Sequence, residues 1–444
     1  MYYIGIDIGT TSVCGVLYDA VTSHTESITI SNDSILSSKE LDERLQNPER
    51  IYEIVESILT RFINSGKEIG AIGVTGQMHG MLYIDENGKA LSPLVTWQDG
   101  RGNRKINDTE TYVELISRLS GHPVATGYGL VTHYFNKHND LVPSEAVHLV
   151  TIMDYVTTRM TGNVSPVTDP SNAASLGLFD KSTLQFDKEA LKKLGINPAI
   201  LPIVADGNSP VGYYESIPVF PAIGDNQAAF IGSVTNKEEA VHITVGTSSQ
   251  ISVYSPEYID LPTLDTRPLP GGGYIIAGAE LCGGYSIALL KNFFVEVVKQ
   301  ITGATPNDEV MFTAMATMPT GGDAPLKVET QFDGTRQHPE KRGSITGISS
   351  TNFLPGNLVE GFLHGISEAL YRYYRLLPDS LRANKKMIVA SGNGLRKNQR
   401  LREVFEETFH LPMVLSASQE EAAYGAAIFA RQCSQSTLPP ANNQ

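Results

Sequence analysis

A chain of 444 residues with 41% hydrophobic and 18% charged residues exceeds one ordinary core, so two or three domains of roughly 150–200 residues are expected. The formal charge of −14 argues against nucleic acid or an anionic membrane surface as partner, so any phosphate site must be local. Cys14, Cys282 and Cys433 are odd in number and lack ligand spacing, which excludes a disulfide framework or Cys-based zinc site and fits a reducing cytoplasm, and no apolar run approaches the length of about 18 residues that a membrane span needs.

Residues 3–8 read as a buried strand that empties into Gly9-Thr10-Thr11-Ser12. Gly9 allows close backbone approach, and the hydroxyls and N–H groups beyond it can cradle phosphate oxygens. Asp7 is placed to hold Mg²⁺ through water, although an ordinary hairpin turn has the same composition. Residues 13–19 continue as a second strand, paired with 22–30. Asn47 as N-cap, Pro48 at the first position and an apolar stripe from Ile51 to Phe62 then predict a helix. A strand over 69–75 runs into Gly76-Gln77-Met78-His79-Gly80, which is either a polar ligand site beyond a strand end or a turn around a hydrogen-bonded core histidine. A hairpin over 81–95 delivers Thr96-Trp97-Gln98-Asp99-Gly100-Arg101. Here an indole beside charged groups suits a polyol, with a core tryptophan as the alternative.

Residues 109–201 mix helix and loop, including Thr168-Asp169-Pro170-Ser171-Asn172-Ala173 and a helix over 188–194. A Gly-, Ser- and Pro-rich stretch at 206–221 suggests domains at 1–221 and 222–432, with a disordered tail at 433–444. Asp225 opens a helix just after that boundary, as an N-cap or as a general base. The opening pattern then recurs: an apolar strand enters Gly246-Thr247-Ser248-Ser249, with Thr244 standing where Asp7 stands in the first copy. Residues 255–273 read as a Pro-rich surface excursion and 356–377 as a long helix. A strand over 387–390 enters Ser391-Gly392-Asn393-Gly394, and the small-residue run 420–427 reads as a closely packed helix.

Taken in this order, the motifs resemble the FGGY family of carbohydrate kinases over nearly the whole chain. The resemblance implies an α/β, two-domain actin-like (ribonuclease-H-like) ATPase fold with a cleft between the domains. It makes Gly9, Thr10, Thr11 and Ser12 the first phosphate motif, Gly246, Thr247 and Ser248 the second, and Gly392, Asn393 and Gly394 the adenosine motif, with Asp7 serving Mg²⁺. Gly224-Asp225-Asn226 matches the family's catalytic segment, which implies Asp225 as base. Gln77, Met78 and His79 are similar to the xylulokinase and sedoheptulokinase branches, where glycerol kinases carry Arg-Glu in place of Met78-His79. Met78, His79, Asp225 and Asn226 match ketose-binding positions, with Trp97 and Asp99 as further candidates. The chain departs from the family at Asp333-Gly334-Thr335-Arg336, at Gly361 and at Met153. The implied reaction is ATP-dependent phosphorylation of a ketose, sedoheptulose first and xylulose or another pentulose or polyol as alternative. A non-catalytic sugar or nucleotide sensor is the rival of another class. The expected partners are a small-molecule sugar and a second copy in a homodimer, with no nucleic acid and no membrane, in the cytoplasm.

Overall fold

The computed structural model describes residues 1–205, 207, 209–322, 324–335, 338 and 340–436. The chain divides into two compact units, one of Met1–Gly232, Arg267–Tyr274 and Glu420–Gln444, the other of Ser233–Thr266 and Ile275–Gln419. The division therefore differs from the 221/222 boundary read from the sequence, because residues 222–232 and the last helix pack with the first unit.

In the first unit β1 (Tyr2–Ile8), β2 (Ser12–Asp19) and β3 (Thr25–Ser31) form an antiparallel meander. Helix α1 (Pro48–Ile63) follows, capped by the Asn47 side chain at the Glu49 and Arg50 N–H groups. Then β4 (Ile69–Gly76) lies parallel to β1. After β5 (Gly212–Tyr214), both β6 (Ile217–Val219) and β7 (Ile223–Gly224) add parallel to β4, and α2 (Asp225–Ser233) leaves β7 directly. The expected 81–95 hairpin forms through antiparallel bridges at Met81–Val95 and Ile84–Ala90 and the Leu91 N–H to Tyr83 carbonyl bond, but Leu82–Ile84 also pairs antiparallel with His148–Val150. The Tyr83 side chain explains the second pairing, since it is fully buried and hydrogen-bonded to His133.

The second unit repeats the plan. β8 (Ala240–Val245) and β9 (Ser249–Ser255) form a hairpin, β10 (Asp265–Pro268) and β11 (Tyr274–Glu280) extend that sheet, and α3 (Gly284–Thr302) follows. The long helix α4 (Pro355–Leu376) leads to β12 (Met387–Ser391), which lies parallel to β8 as β4 does to β1. A short helix α5 (Asn393–Lys397) and β13 (Met413–Leu415), parallel to β12, complete it.

Helix α6 (Glu421–Ser436) belongs to the first unit, and residues 437–444 of the expected tail lie outside the described residues. Side chains alternate along β1, so Ile4, Ile6 and Ile8 pack with Ile51, Val55 and Ile58 of α1 while Tyr3 packs with Ala423 and Ala427 of α6. The contact with α6 is backbone-close: a Cβ on Gly5 would sit 1.8 Å from the Ala423 carbonyl oxygen, and one on Gly425 1.8 Å from that of Ala228 in α2. Gly425→Ala is therefore expected to cost on the order of 2–4 kcal/mol. A thermal midpoint equal to the parent's would contradict this packing.

Candidate active site

Three strand ends meet in the first unit. Ile8 of β1 and Gly224 of β7 both register with Gly76 of β4, so the segments opening at Gly9, Gln77 and Asp225 leave the carboxyl ends of three adjacent parallel strands. That is where open α/β sheets place their ligands. The Thr75 hydroxyl donates to the Ile223 carbonyl (2.8 Å), tying β4 to β7 just below.

The first turn is held from behind. Asn32 donates through Nδ2 to the Gly9 carbonyl and through its N–H to that of Thr11, both at 2.9 Å. Buried Gln46 donates to the Thr10 carbonyl (2.9 Å) and accepts from Gln77 Nε2 (2.8 Å). The Thr10 hydroxyl receives the Trp97 indole N–H (3.1 Å) and donates to Gln77 Oε1 (3.3 Å), so this threonine faces the Trp97 and Gln77 side of the site. Trp97 is 46% exposed and is thus no core residue.

Asp225 is positioned from two sides. Its Oδ1 accepts from the Asn226 backbone N–H (2.5 Å) and Nδ2 (2.7 Å), and Asn226 Nδ2 also lies 4.0 Å from Met78 Sδ. The preceding Gly224 N–H donates to the Ser171 hydroxyl (3.1 Å), which itself donates to Asp169 (2.5 Å). Burial pushes the Asp225 carboxyl above the ordinary range, while the Asn226 bonds and the Arg267 charge pull it back. The Asp7 carboxyl is raised to about 7 by burial and by the charges of Asp225 and Glu420.

His79 adopts φ +75°, strained for a residue with a Cβ, and is clamped by Ser175: its N–H donates to the Ser175 hydroxyl (3.2 Å) and its Nδ1 to the Ser175 carbonyl (2.8 Å). That carbonyl requires a proton on Nδ1, so in the neutral imidazole Nε2 is the acceptor nitrogen. The ring stacks on Tyr128 with centroids 4.4 Å apart.

In the second unit the second hydroxyl turn and the 392–394 turn line one cavity of about 1290 Å³, at Gly246, Thr247, Gly392, Asn393 and Gly394. Its walls include Ile287, Ala288, Phe312, Met315, Val359 and Leu363, with Lys397 at the polar side. Ser248 is exposed outside that lining. Gly392 has φ +83°, and a Cβ there would sit 2.5 Å from the Val245 carbonyl oxygen, so the two turns approach as only glycine permits.

Residues 2–232 match the model of the FGGY family of carbohydrate kinases, N-terminal domain. The chain belongs to this family. As a carbohydrate kinase it uses ATP as phosphate donor and a sugar as acceptor. It is 27% identical to the sedoheptulokinase of Mus musculus, with 96% of each chain covered, and 25% identical to the gluconokinase of Bacillus subtilis (strain 168), covering 96% of this kinase and 86% of that one. The crystal structure of xylulose kinase from Rhodospirillum rubrum superposes with a TM-score of 0.82 at 21% identity, covering 99% of this chain and 91% of that one, which is a likeness of fold.

Against the sequence reading, the kinase brings Asp7, Gln77, Met78, His79, Trp97, Asp225 and Asn226 to one end of one sheet. Asp99 is used otherwise: it is fully buried, and its two oxygens accept from Arg101 Nε (2.7 Å), Nη2 (3.2 Å) and N–H (3.1 Å) and from the Arg44 N–H (2.9 Å). A carboxylate so saturated shapes the loop under Trp97 and has no capacity left for a sugar hydroxyl. Ser175, Tyr128, Asn32, Gln46, Asp169 and Ser171 carried no role in the sequence reading. The Asp169-Ser171 pair had a visible signal, an Asx turn at a helix start, but its partner Gly224 is 53 positions from Ser171. No helix among the described residues is long and apolar enough to cross a membrane.

Proposed function

We propose that this kinase transfers the γ-phosphoryl group of ATP to a terminal primary hydroxyl of a ketose, sedoheptulose in the first place. The observation that carries this reading is the meeting of Asp225 and Asn226 with Met78 and His79 at the parallel strand ends. Asp225 accepts the hydroxyl proton as the oxygen attacks phosphorus, and the two bonds from Asn226 fix the carboxylate's direction for that transfer. His79 Nε2 accepts a sugar hydroxyl, since Ser175 holds the proton on Nδ1. The Trp97 indole covers the C–H face of the sugar, steered by the Thr10 hydroxyl. ATP occupies the cavity of the second unit, its base against Ile287, Phe312 and Met315 and its phosphates at the Gly246 and Gly392 turns.

Asp7 fits Mg²⁺: it is an oxygen donor raised to about 7 beside two further carboxylates, so a cation there is electrostatically favoured. Asp7 would hold the ion with waters and phosphate oxygens as its other ligands, as Mg²⁺ commonly keeps several waters. When bound, Mg²⁺ supplies charge neutralisation on the phosphates.

A coupled ADP-release assay over sedoheptulose, xylulose, ribulose, gluconate and glycerol tests the reading. Sedoheptulose is expected to give the highest kcat/KM. A higher value for another sugar would replace it as substrate, and ADP release unaffected by every sugar would favour a sensor. His79→Ala is expected to raise KM for the sugar by about 5- to 150-fold, equivalent to roughly 1–3 kcal/mol, with KM for ATP little changed. Equal weakening of both substrates would remove His79 from the sugar side.

A further inference from the structure

The sequence reading leaves residues 255–273 as a surface excursion, which holds at 256–258, 260, 262–263 and 271–272 but not at 266 and 268–270. Thr266, Pro268 and Leu269 are buried, and Arg267–Tyr274 packs as part of the first unit although it connects β10 and β11 of the other sheet. Two bonds fasten it there. Gln227, on the first turn of α2 and 1% exposed, donates from Nε2 to the Pro268 carbonyl (3.2 Å), and the Tyr274 hydroxyl donates to the Lys181 carbonyl (2.9 Å). Gln227 Oε1 has no hydrogen-bond partner among the described residues and lies close to Gly224, where a Cβ would stand 2.5 Å from it and 3.0 Å from Met78 Sδ. Arg267, half-buried, immediately precedes Pro268, whose carbonyl is held by Gln227 two residues along α2 from Asp225.

We propose that Arg267 is a positioning residue for phosphoryl transfer, presented to the Asp225 carboxylate by the 267–274 segment that Gln227 latches. The surroundings require a cation. The charges of Asp225 on α2 and Glu420 ahead of α6 oppose ionisation of Asp7 on β1, and the Arg267 charge favours the ionised form of Asp225. Before transfer the carboxylate must stay ionised to take up the hydroxyl proton, and a fixed cation beside it keeps it so. An alternative use of Arg267, gripping the carboxylate of a sugar acid, fits less well, because the acid group of an aldonate and its phosphorylated hydroxyl are at opposite ends of the molecule.

The inference rests on the kinase reading, and the experiment separates the two. Arg267→Gln, Arg267→Lys, Gln227→Leu and the Arg267→Gln/Gln227→Leu double variant are compared with wild type on whichever sugar of the panel is turned over. Arg267→Gln is expected to lower kcat by about 10- to 100-fold with KM for sugar and ATP within about threefold, and Arg267→Lys to recover most of the loss. The double variant is expected to lose little beyond Arg267→Gln alone, as residues acting through one device do. Amide hydrogen exchange over 267–274 is expected to accelerate in Gln227→Leu. A kcat for Arg267→Gln within threefold of wild type, a loss confined to the sugar KM, or unchanged exchange in Gln227→Leu would each overturn the proposal. A wild type that turns over no sugar would overturn the kinase reading, while the exchange comparison still decides whether Gln227 latches the segment.

Discussion

Asp225→Asn is expected to yield a folded protein that binds ATP and sugar but turns over at least about 10²–10⁴-fold more slowly, the usual contribution of a general base. The amide preserves shape, so bonding to Asn226 and the start of α2 survive, and only the capacity to take a proton is lost. Burial raises the Asp225 carboxyl, and below its folded pKa the protonated form predominates, so activity should fall on the acid side and be restored as pH rises. The competing role, a helix cap, predicts the opposite result. Asn caps helices about as well as Asp, so a cap would tolerate the change with kcat within a few-fold of wild type. Steady-state kinetics with thermal unfolding of the same preparation distinguishes the two.

How far the sequence could lead to Asp225 shows what local pattern encodes. The turns at Gly9, Gly76, Gly246 and Gly392 were legible because each follows a short apolar run and combines glycine with small polar residues, a signal contained within ten positions. Helix α1 was legible for the same reason, from its Asn47-Pro48 start and its stripe, which the structure buries at every expected position. Allegiance between distant segments was not legible. Asp225 belongs to the first unit because Gly232 and Gly425 let α2 and α6 touch backbone to backbone, a contact across almost 200 positions whose only local trace is a run of small residues. Asp99 and Arg101 failed differently. Two charges separated by one residue read equally well as ligands or as partners, and only their complete burial decides for the pair. Arg267 was obscured by prolines and glycines that elsewhere mark loops, since composition cannot tell a solvated excursion from one that is fastened by Gln227.

Asp7→Asn is expected to lower Mg²⁺-dependent turnover by roughly 10²–10³-fold, comparable to losing one oriented charge-stabilising group, while sugar binding measured by calorimetry stays near that of wild type. The physical reason is location: Asp7 is the last-but-one residue of β1, at the first hydroxyl turn, and the sugar-side groups His79, Met78 and Asn226 stand on the other strand ends. Stability should move the other way. The folded-state pKa of Asp7, about 7, lies above its ordinary carboxylate value because burial, Asp225 and Glu420 oppose its charge, so its contribution is present at acid pH and lost as pH rises toward and through 7. Removing the charge with Asn should therefore make the Mg²⁺-free protein more stable than wild type at pH 8, on the order of 1–3 kcal/mol, with the difference vanishing near pH 4. Adding Mg²⁺ should raise the wild-type midpoint at pH 8 and leave that of Asp7→Asn nearly unmoved. Loss of sugar affinity with normal Mg²⁺ dependence would place Asp7 on the sugar side, and a variant destabilised at pH 8 would mean that its charge is compensated within the fold.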